Sequence, residues 1–397
     1  MTTSDETPAV NAWNEWDPLR EVVVGSAAGA CYEPVEPGNR PRVRGSDRPF
    51  PTGPKPRERI ARAEEELDGL AALLESRGIV VRRPAEHDFS RPVSTPRFEV
   101  ANQYCAVCPR DVMATVGNGI IEATMSRRAR FFEYEPYRPL VYGYWESDPR
   151  VEWTVAPKPT MGPEMYREEF WEWPLEERYR RMHESEFCVT QDQVVFDAAD
   201  MSRLGRDIIV QESMTTNRPG IRWLKRHLEP RGFRVHPVHF PLDHFPSHID
   251  CTFVPLAPGL VLTNPERPIR DGERRMFTEN GWKLVEAPQP VLADEQMPEY
   301  CQSSIWLSMN VLSLSPTTVV CEERERPLQE LLSGMGMEVL TVPFRNVFEY
   351  GGSLHCATWD IRRDGGPEDY FPELGGLPEL GGLPGPGGVP APAGAGR

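Results

Sequence analysis

Hydrophobic and polar positions follow one recurring plan along much of the chain. An amphipathic helix ends at a glycine, and a short apolar strand follows. Four segments show this plan: "AALLESRGIVVRRP", "LKRHLEPRGFRVHPV", "RRMFTENGWKLVEAP" and "LQELLSGMGMEVLTVPF". The glycine is typical of a helix C-terminus, and the β-branched run after it predicts a strand. Apolar strands precede several of these helices, as in "REVVVG", "GRDIIVQ", "LVLTN" and "TTVVCEE".

The spacing of these glycines predicts a repeat. Gly232, Gly281 and Gly336 are 49 and 55 residues apart, and Gly78 lies 154 residues before Gly232, which leaves room for another unit and an insertion. A period near 50 residues favours supersecondary units stacked or arranged radially around a central site. A doubly wound sheet also alternates strand and helix. The pattern alone therefore predicts an α/β fold and leaves both architectures open.

Two regions depart from the repeat. Residues 125–190 are dense in Arg, Glu, Trp, Tyr and Pro, which predicts an irregular insertion with helical pieces around the site. Residues 371–397 repeat Pro and Gly with few bulky apolar side chains. Such a composition buries too little surface to offset its ordering entropy. We therefore predict a single folded domain over residues 1–370 and a disordered Pro/Gly-rich tail over 371–397.

Charge and composition narrow the class of partner. The 397 residues carry a formal charge of −16, which argues against a nucleic-acid binder and favours small-molecule substrates. No run approaches the roughly 20 apolar residues of a membrane span, and the N-terminus lacks the basic and apolar regions of a secretory signal. We therefore expect a cytoplasmic protein with no membrane partner. In that reducing compartment the eight scattered cysteines should be thiols.

Two clusters raise the question of a metal. Cys105 and Cys108 form a lone C-x-x-C, which is a weak signal for redox exchange or half of a zinc site. The stretch "HPVHFPLDHFPSHID" combines four histidines with two aspartates: His236, His239, His244 and His248 with Asp243 and Asp250. Its spacing matches no fixed ligand geometry, and three prolines interrupt any helix that would align the ligands. A metal site is therefore a weak prediction at both clusters.

A third constellation joins distant parts of the chain around Cys356 in "EYGGSLHCATWDIRRDG". The glycines before this cysteine permit backbone conformations that present a thiol at a pocket. A thiol attacks as its thiolate, so it needs a base or positive charge and a group to orient that base. His248 and Asp197 can supply them from other repeat units. His355 is a weaker base candidate, because neighbouring side chains in extended chain point to opposite sides.

Several stretches, taken together and in order, resemble the arginine:glycine amidinotransferase family. They include "VNAWNEWDPLREVVVG", "RARFFEYEPYR", "APKPTM", "FDAADMSRLGRDI", "HIDCTF", "GLVLTNPERP", "SSIWLSMNVLSLSP" and "GGSLHCATWDIRRDG", and they cover residues 10–365. The resemblance implies a five-fold pseudosymmetric α/β propeller, the pentein fold of guanidine-modifying enzymes, with the site at its centre. That expectation agrees with the period near 50 residues.

The resemblance also implies roles for particular residues. Cys356 falls on the nucleophile, His248 on the acid/base and Asp197 on the carboxylate that orients it. Asp250 falls on a guanidinium-binding acid, while Arg267, Ser303 and Ser304 fall on residues that hold the amino-acid substrate. The implied reaction moves an amidino group from L-arginine to an amino acid or simple amine through an amidino-Cys356 intermediate. A place in natural-product biosynthesis and a homodimer are implied, and no metal or organic cofactor is.

The sequence departs from the family pattern around the substrate. Arg97 in "TPRFE" stands where an aspartate is expected to bind the donor, which predicts a substrate-facing Arg97 and a changed donor. Gln193 and Val194 replace an expected Glu-Pro pair, and Tyr350 and Ser353 replace smaller residues. Two alternatives follow. The same thiol could transfer an acyl group to an amine, with Arg97 binding a carboxylate or phosphate, or the chain could be a non-catalytic binding protein.

Overall fold

The computed structural model describes residues 7–241, 248–293 and 296–372. The strands in chain order are β1 (Leu19–Val24), β2 (Val80–Arg82), β3 (Val93–Ser94), β4 (Glu99–Val100), β5 (Met113–Val116), β6 (Gly119–Glu122), β7 (Glu152–Val155), β8 (Met201–Leu204), β9 (Asp207–Gln211), β10 (Arg234–Val238), β11 (Phe253–Ala257), β12 (Leu260–Thr263), β13 (Lys283–Glu286), β14 (Leu312–Ser315), β15 (Thr318–Glu322), β16 (Glu338–Val342) and β17 (Thr358–Arg363). The helices are α1 (Arg57–Ser76), α2 (Pro109–Val112), α3 (Arg138–Ser147), α4 (Leu175–His183), α5 (Arg218–Leu228), α6 (Asp271–Glu279) and α7 (Arg326–Gly334).

Five three-stranded sheets share one plan. Their strand orders are β17–β1–β2, β5–β6–β7, β8–β9–β10, β11–β12–β13 and β14–β15–β16. In every sheet the first pair is antiparallel and the second pair is parallel. A parallel pair needs a crossover connection, and helices α1, α3, α5, α6 and α7 supply the five crossovers. The predicted repeat is confirmed, and it forms five small sheets instead of one doubly wound sheet.

The glycine after each predicted helix has the expected backbone conformation. Gly78, Gly232, Gly281 and Gly336 have φ values of 76°, 90°, 76° and 88°, in the left-handed region that favours glycine. The helices before them and the strands after them are those predicted. The prediction that all of residues 125–190 form an irregular insertion is wrong in part, because α3 and β7 complete the second sheet.

Burial and contacts show how the sheets are arranged. The first strands of the sheets are mostly buried, whereas third strands such as β7 and β13 are exposed at both ends. The turns before the first strands contact one another in sequence order, at α2, Ala198–Asp200, Ile249–Cys251 and Ile305–Met309. The first sheet combines both ends of the chain, since β17 pairs with β1. Residues just before the first strands therefore meet at one place.

The folded part runs slightly further than predicted. Phe371 is fully buried and stacks on Trp282 with ring centroids 5.2 Å apart. It therefore belongs to the core and not to the tail, because a buried aromatic ring contributes apolar contact that a Pro/Gly repeat lacks. Residues 373–397, where disorder is predicted, lie outside the described residues. In the described part of the chain, no helix has the length and apolar character to span a bilayer.

Candidate active site

Polar side chains stand directly before the first strand of each sheet. They are Cys356 before β17, Asp111 before β5, Asp197 before β8, Asp250 before β11 and Asn310 before β14. Because the turns that carry them meet, residues far apart in sequence become neighbours. Each of the five sheets thus contributes one polar side chain to the candidate site.

Cys356 is held by residues that precede the first strands of two other sheets, β11 and β14. Its Sγ lies 3.2 Å from Oδ2 of Asp250, and its backbone N–H donates to Oδ1 of Asn310 over 3.0 Å. The glycine before it is required by space, since a Cβ on Gly352 would lie 2.8 Å from Cys356 Cβ and 2.5 Å from Cys108 Sγ. Gly351 has φ of 82°, so the backbone before Cys356 has a conformation that favours glycine, as the sequence allows.

Cys356 is a thiol in the resting structure. It is only 3% exposed. A hydrogen bond with the Cys251 thiol, burial and the nearby charge of Asp250 raise the pKa of Cys356 well above its usual value. A positive charge must therefore arrive before the thiolate can form near neutral pH.

His248 lies between two carboxylates. Its Nε2 is 3.4 Å from Oδ2 of Asp197, and its Nδ1 is 3.5 Å from Oδ1 of Asp111. Burial alone would lower the pKa of His248, but the charges of Asp111, Asp197 and Asp200 outweigh it and raise that pKa to about 10. His248 is therefore protonated near neutral pH and suited to donate a proton.

Cys356, His248 and Asp197, the predicted trio, do not form one hydrogen-bonded chain. With Asp250 they form two separate pairs. His248 pairs with Asp197, and Cys356 pairs with Asp250. No hydrogen bond between Cys356 and His248 occurs within the described residues. The charge of His248 nevertheless reaches Asp250 and helps to lower the pKa of that carboxyl. The arrangement leaves a substrate to bridge the two pairs.

Asp111 is a site residue that the sequence reasoning missed. Arg130 holds it, with Nη1 2.9 Å from Asp111 Oδ2 and 3.9 Å from Asp197 Oδ2. Among the described residues, neither Oδ1 of Asp111 nor Oδ1 of Asp197 has a hydrogen-bond partner. Buried carboxylate oxygens in this state suit a cationic ligand with several N–H donors. The repeat itself could have found Asp111, since it precedes a first strand as Asp197 and Asp250 do.

Asp250 is ionised and fixed in place. Its Oδ2 lies 2.9 Å from Nδ1 of His355, and this is the same oxygen that faces the Cys356 thiol. Burial alone would raise the pKa of Asp250, but the hydrogen bond and charge of His355 lower it to about 2. A carboxylate that is charged near neutral pH therefore lies beside the Cys356 thiol.

The three predicted substrate-holding residues have varied surroundings. Arg267 is buried, and its Nε donates to the carbonyl of Pro241 over 2.8 Å. Ser303 Oγ donates to the carbonyl of Gly351 over 2.9 Å, which ties it to the cysteine-bearing segment. Ser304 Oγ accepts from the backbone N–H of Trp306 at 3.3 Å and caps the turn Ile305–Met309. Their contact with substrate stays a prediction.

The structure contradicts the prediction for Arg97. Its side chain is 64% exposed, its guanidinium lies 3.9 Å from the equally peripheral Glu164, and its backbone N–H donates to Thr95 within the tight turn between β3 and β4. That turn directs Arg97 outward. The acid that faces His248 and Asp197 is Asp111, so the site keeps a second carboxylate.

Of the other departures from the family pattern, Gln193 and Val194 are half-buried, and Tyr350 and Ser353 are buried. Gln193 pairs with Thr160, accepting from its backbone N–H over 2.7 Å and donating to its hydroxyl over 2.9 Å. Val194 packs against the core. Tyr350 and Ser353 are buried, and the Tyr350 ring lies 4.8 Å from Nζ of Lys55. All four changes therefore affect packing directly.

Neither metal cluster forms within the described residues, where no group of three or more potential ligands converges. Cys105 and Cys108 are buried free thiols whose pKa values are raised by burial. His236 pairs with Asp207 at 2.6 Å and His239 pairs with Glu273 at 2.9 Å, so these histidines have separate partners. His244 and Asp243 lie outside the described residues.

Comparisons with known proteins agree with the geometry. No family model matches the chain. It is 41% identical to the mitochondrial glycine amidinotransferase of Danio rerio over 375 residues, which span 93% of this chain and 86% of that protein. It is 38% identical to the L-arginine:L-lysine amidinotransferase of Pseudomonas savastanoi pv. phaseolicola over 374 residues, spanning 93% and 99%. Among solved structures, SxtG, an amidinotransferase from Microseira wollei in the saxitoxin biosynthetic pathway, aligns with a TM-score of 0.80 at 37% identity, covering 91% of this chain and all of that one.

Proposed function

The chain belongs to the arginine:glycine amidinotransferase family and has its α/β pentein fold, and on this premise we propose that Cys356 carries an amidino group from L-arginine to an amino acid or another simple amine. The observation that carries the proposal is the pairing of a buried thiol with an ionised acid, opposite a protonated histidine. A guanidinium is stable and cationic, so it reacts only where carboxylates hold it against a nucleophile.

Binding of the donor brings a positive charge to Cys356. Asp250 and the Oδ1 atoms of Asp111 and Asp197, which accept no hydrogen bond among the described residues, offer acceptors for the N–H groups of a guanidinium, and Oδ1 of Asp111 also lies 3.5 Å from Nδ1 of His248. The cation then lies beside Cys356 and offsets the Asp250 charge that keeps the thiol protonated. The thiolate therefore forms when the donor arrives.

Protons balance over the first half of the reaction. The sulfur of Cys356 forms a bond to the central guanidinium carbon, and the bond from that carbon to the nitrogen of the ornithine portion breaks. The thiol proton passes to solvent when the donor binds, because His248 is already protonated. His248 then donates its proton to the departing amine and is reprotonated from solvent, so the proton count balances. Ornithine leaves, and the amidino group remains on sulfur as a cation.

The second half reverses these movements. An unprotonated acceptor amine attacks the amidino carbon, and the bond from that carbon to sulfur breaks. His248 gives its proton to the departing thiolate and takes one from the attached nitrogen, so the thiol and the imidazolium are both restored. Two half-reactions through one covalent intermediate predict ping-pong kinetics. Water has to be kept out meanwhile, since it would hydrolyse the intermediate.

The two alternatives have less support. Acyl transfer depended on a substrate-facing Arg97, and that side chain is at the surface. A non-catalytic role would leave the Cys356, Asp250 and His248 arrangement without a use. Small-molecule substrates fit the family. The homodimer and the cytoplasmic location stay predictions.

The proposal is tested with L-arginine alone. Incubation should release ornithine, limited to one equivalent if hydrolysis is slow, and should add the mass of one amidino group to the peptide that contains Cys356. Adding glycine, L-lysine or other amines should remove the added mass and identify the acceptor. The variant Cys356→Ala should do neither, while Cys105→Ala, another buried thiol, should behave as the parent. Absence of ornithine and adduct with every amine would refute the proposal.

A further inference from the structure

His355 lies between two carboxylates, those of Asp250 and Glu15. Its Nδ1 is 2.9 Å from Oδ2 of Asp250, and its Nε2 is 3.3 Å from Oε2 of Glu15. The His355 side chain is only 9% exposed. Both ring nitrogens therefore have a defined acceptor, which leaves the ring one orientation.

Glu15 is itself fixed. Arg203 binds both of its oxygens, with Nε 2.8 Å from Oε1 and Nη2 2.6 Å from Oε2. Arg110 lies 3.4 Å from Oε2 of Glu15 and donates through Nε to the backbone carbonyl of His355 over 2.8 Å. Two buried arginines hold the pKa of Glu15 well below its usual value, so this carboxylate stays charged.

The hydrogen bonds converge on one oxygen. Oδ2 of Asp250 receives Nδ1 of His355 on one side and the thiol of Cys356 on the other. His355 and Cys356 lie in a turn, and both side chains reach Oδ2 of Asp250, so His355 can hold the acid that faces the Cys356 thiol. Without the hydrogen bond from His355, the Asp250 carboxylate could rotate away from both the Cys356 thiol and the donor.

We propose that His355, held by Glu15, is a positioning residue that fixes Oδ2 of Asp250 between the Cys356 thiol and the donor guanidinium. This inference rests on the proposed function, because it assumes that Asp250 binds a guanidinium. The low pKa of Asp250 supports it, since the His355 hydrogen bond is the main favourable contribution. His355 therefore acts through Asp250 and does not touch the substrate.

Two substitutions test the two hydrogen bonds of His355 separately, the one to Asp250 and the one to Glu15. The amide nitrogen of His355→Asn can occupy the position of Nδ1 and still donate to Asp250, but it loses Glu15. The amide nitrogen of His355→Gln can reach the position of Nε2 and donate to Glu15, but it loses Asp250. We expect His355→Asn to keep kcat/KM for L-arginine within about fivefold and His355→Gln to lose about 10- to 100-fold, the range for a lost hydrogen bond to a charged group.

Binding can be measured separately from the reaction if each variant also carries Cys356→Ala. L-arginine is then titrated into the two double variants by calorimetry. The Gln form should bind L-arginine at least tenfold more weakly than the Asn form. His236, whose ring faces Asp207 at 2.6 Å in another sheet, offers the matched control. His236→Asn and His236→Gln should leave both kcat/KM and binding unchanged, and melting temperatures report any general loss of fold.

The two possible failures are distinct. If the parent chain releases no ornithine from L-arginine, the proposed function is refuted. If the parent is active but His355→Asn and His355→Gln lose activity and L-arginine affinity equally, His355 only supports the fold and the positioning role is overturned.

Discussion

The surroundings of His248 and His355 are alike in composition and different in geometry. Each ring has a carboxylate at both nitrogens. His248 makes contacts of 3.4 and 3.5 Å and its side chain is 18% exposed, while His355 makes contacts of 2.9 and 3.3 Å and is 9% exposed. A loosely held, partly exposed imidazole can exchange a proton with a ligand, whereas a tightly held one can only hold its neighbours.

The carboxylates around the two rings differ in the same way. Asp111 and Asp197 at His248 each keep one oxygen without a hydrogen-bond partner among the described residues. Glu15 at His355 has both oxygens bound by Arg203. On the proposed function, the acceptors at His248 bind the N–H groups of a guanidinium, whereas both oxygens of Glu15 at His355 are already occupied by Arg203. The two proposed roles therefore use one combination of residue types, a histidine between two carboxylates, for proton transfer at His248 and for orientation at His355.

Replacing the acid should have the largest effect. In His248→Asn the leaving amine has no proton donor, and general acid catalysis contributes 10²- to 10⁴-fold, so we expect kcat to fall about a thousandfold. Ornithine release and the adduct on Cys356, both measured by mass spectrometry, report the first half-reaction directly. The control His236→Asn removes another carboxylate-paired histidine and should keep full activity. A loss below tenfold would contradict the assignment of His248 as the acid.

Replacing Asp111 should have a smaller effect on kcat, and this effect should depend on pH. The carboxylate of Asp111 contributes most to keeping the pKa of His248 near 10, so protonated His248, and activity with it, should persist until the pH rises through about 10. Asp111→Asn removes that charge and should move the basic limb of the kcat profile down by about 1 to 3 pH units. It should also raise KM for L-arginine, because one open acceptor is lost. An unchanged basic limb would show that Asp111 does not set the protonation of His248.

The fold was predictable from sequence wherever a local signal exists. Four helix–glycine–strand units were found because a left-handed glycine after a helix is a short-range feature. The spacing leaves room for a further unit between Gly78 and Gly232 but does not locate it, because α3 ends at Ser147 and its C-cap is Asp148, with φ of −133°, instead of a glycine. Its helix and strand therefore carry no such mark, and they were taken for an insertion.

The site was predictable only in part, because its contacts join residues distant in the chain. Cys356 and Asp250 are 106 residues apart, and His355 and Glu15 are 340 apart. No local pattern encodes such pairs, so Glu15 and the role of Asn310 went unnoticed. Arg97 was placed in the site on a family position alone, and only the structure shows that its turn faces outward.

The smallest change in activity is expected for a substitution of Arg97, which the structure places at the surface. Arg97→Asp reverses a charge at an exposed position, where substitutions usually change stability by no more than about 0.5 kcal/mol. Since Asp111 already supplies the second acid, kcat/KM for L-arginine should stay within about twofold of the parent. Arg91→Asp, at an arginine that is 76% exposed and pairs with Asp88, is the matched control. A larger change in donor preference for Arg97→Asp than for Arg91→Asp would mean that position 97 reaches the donor after all, and that the open acceptors at Asp111 and Asp197 do not complete its binding site.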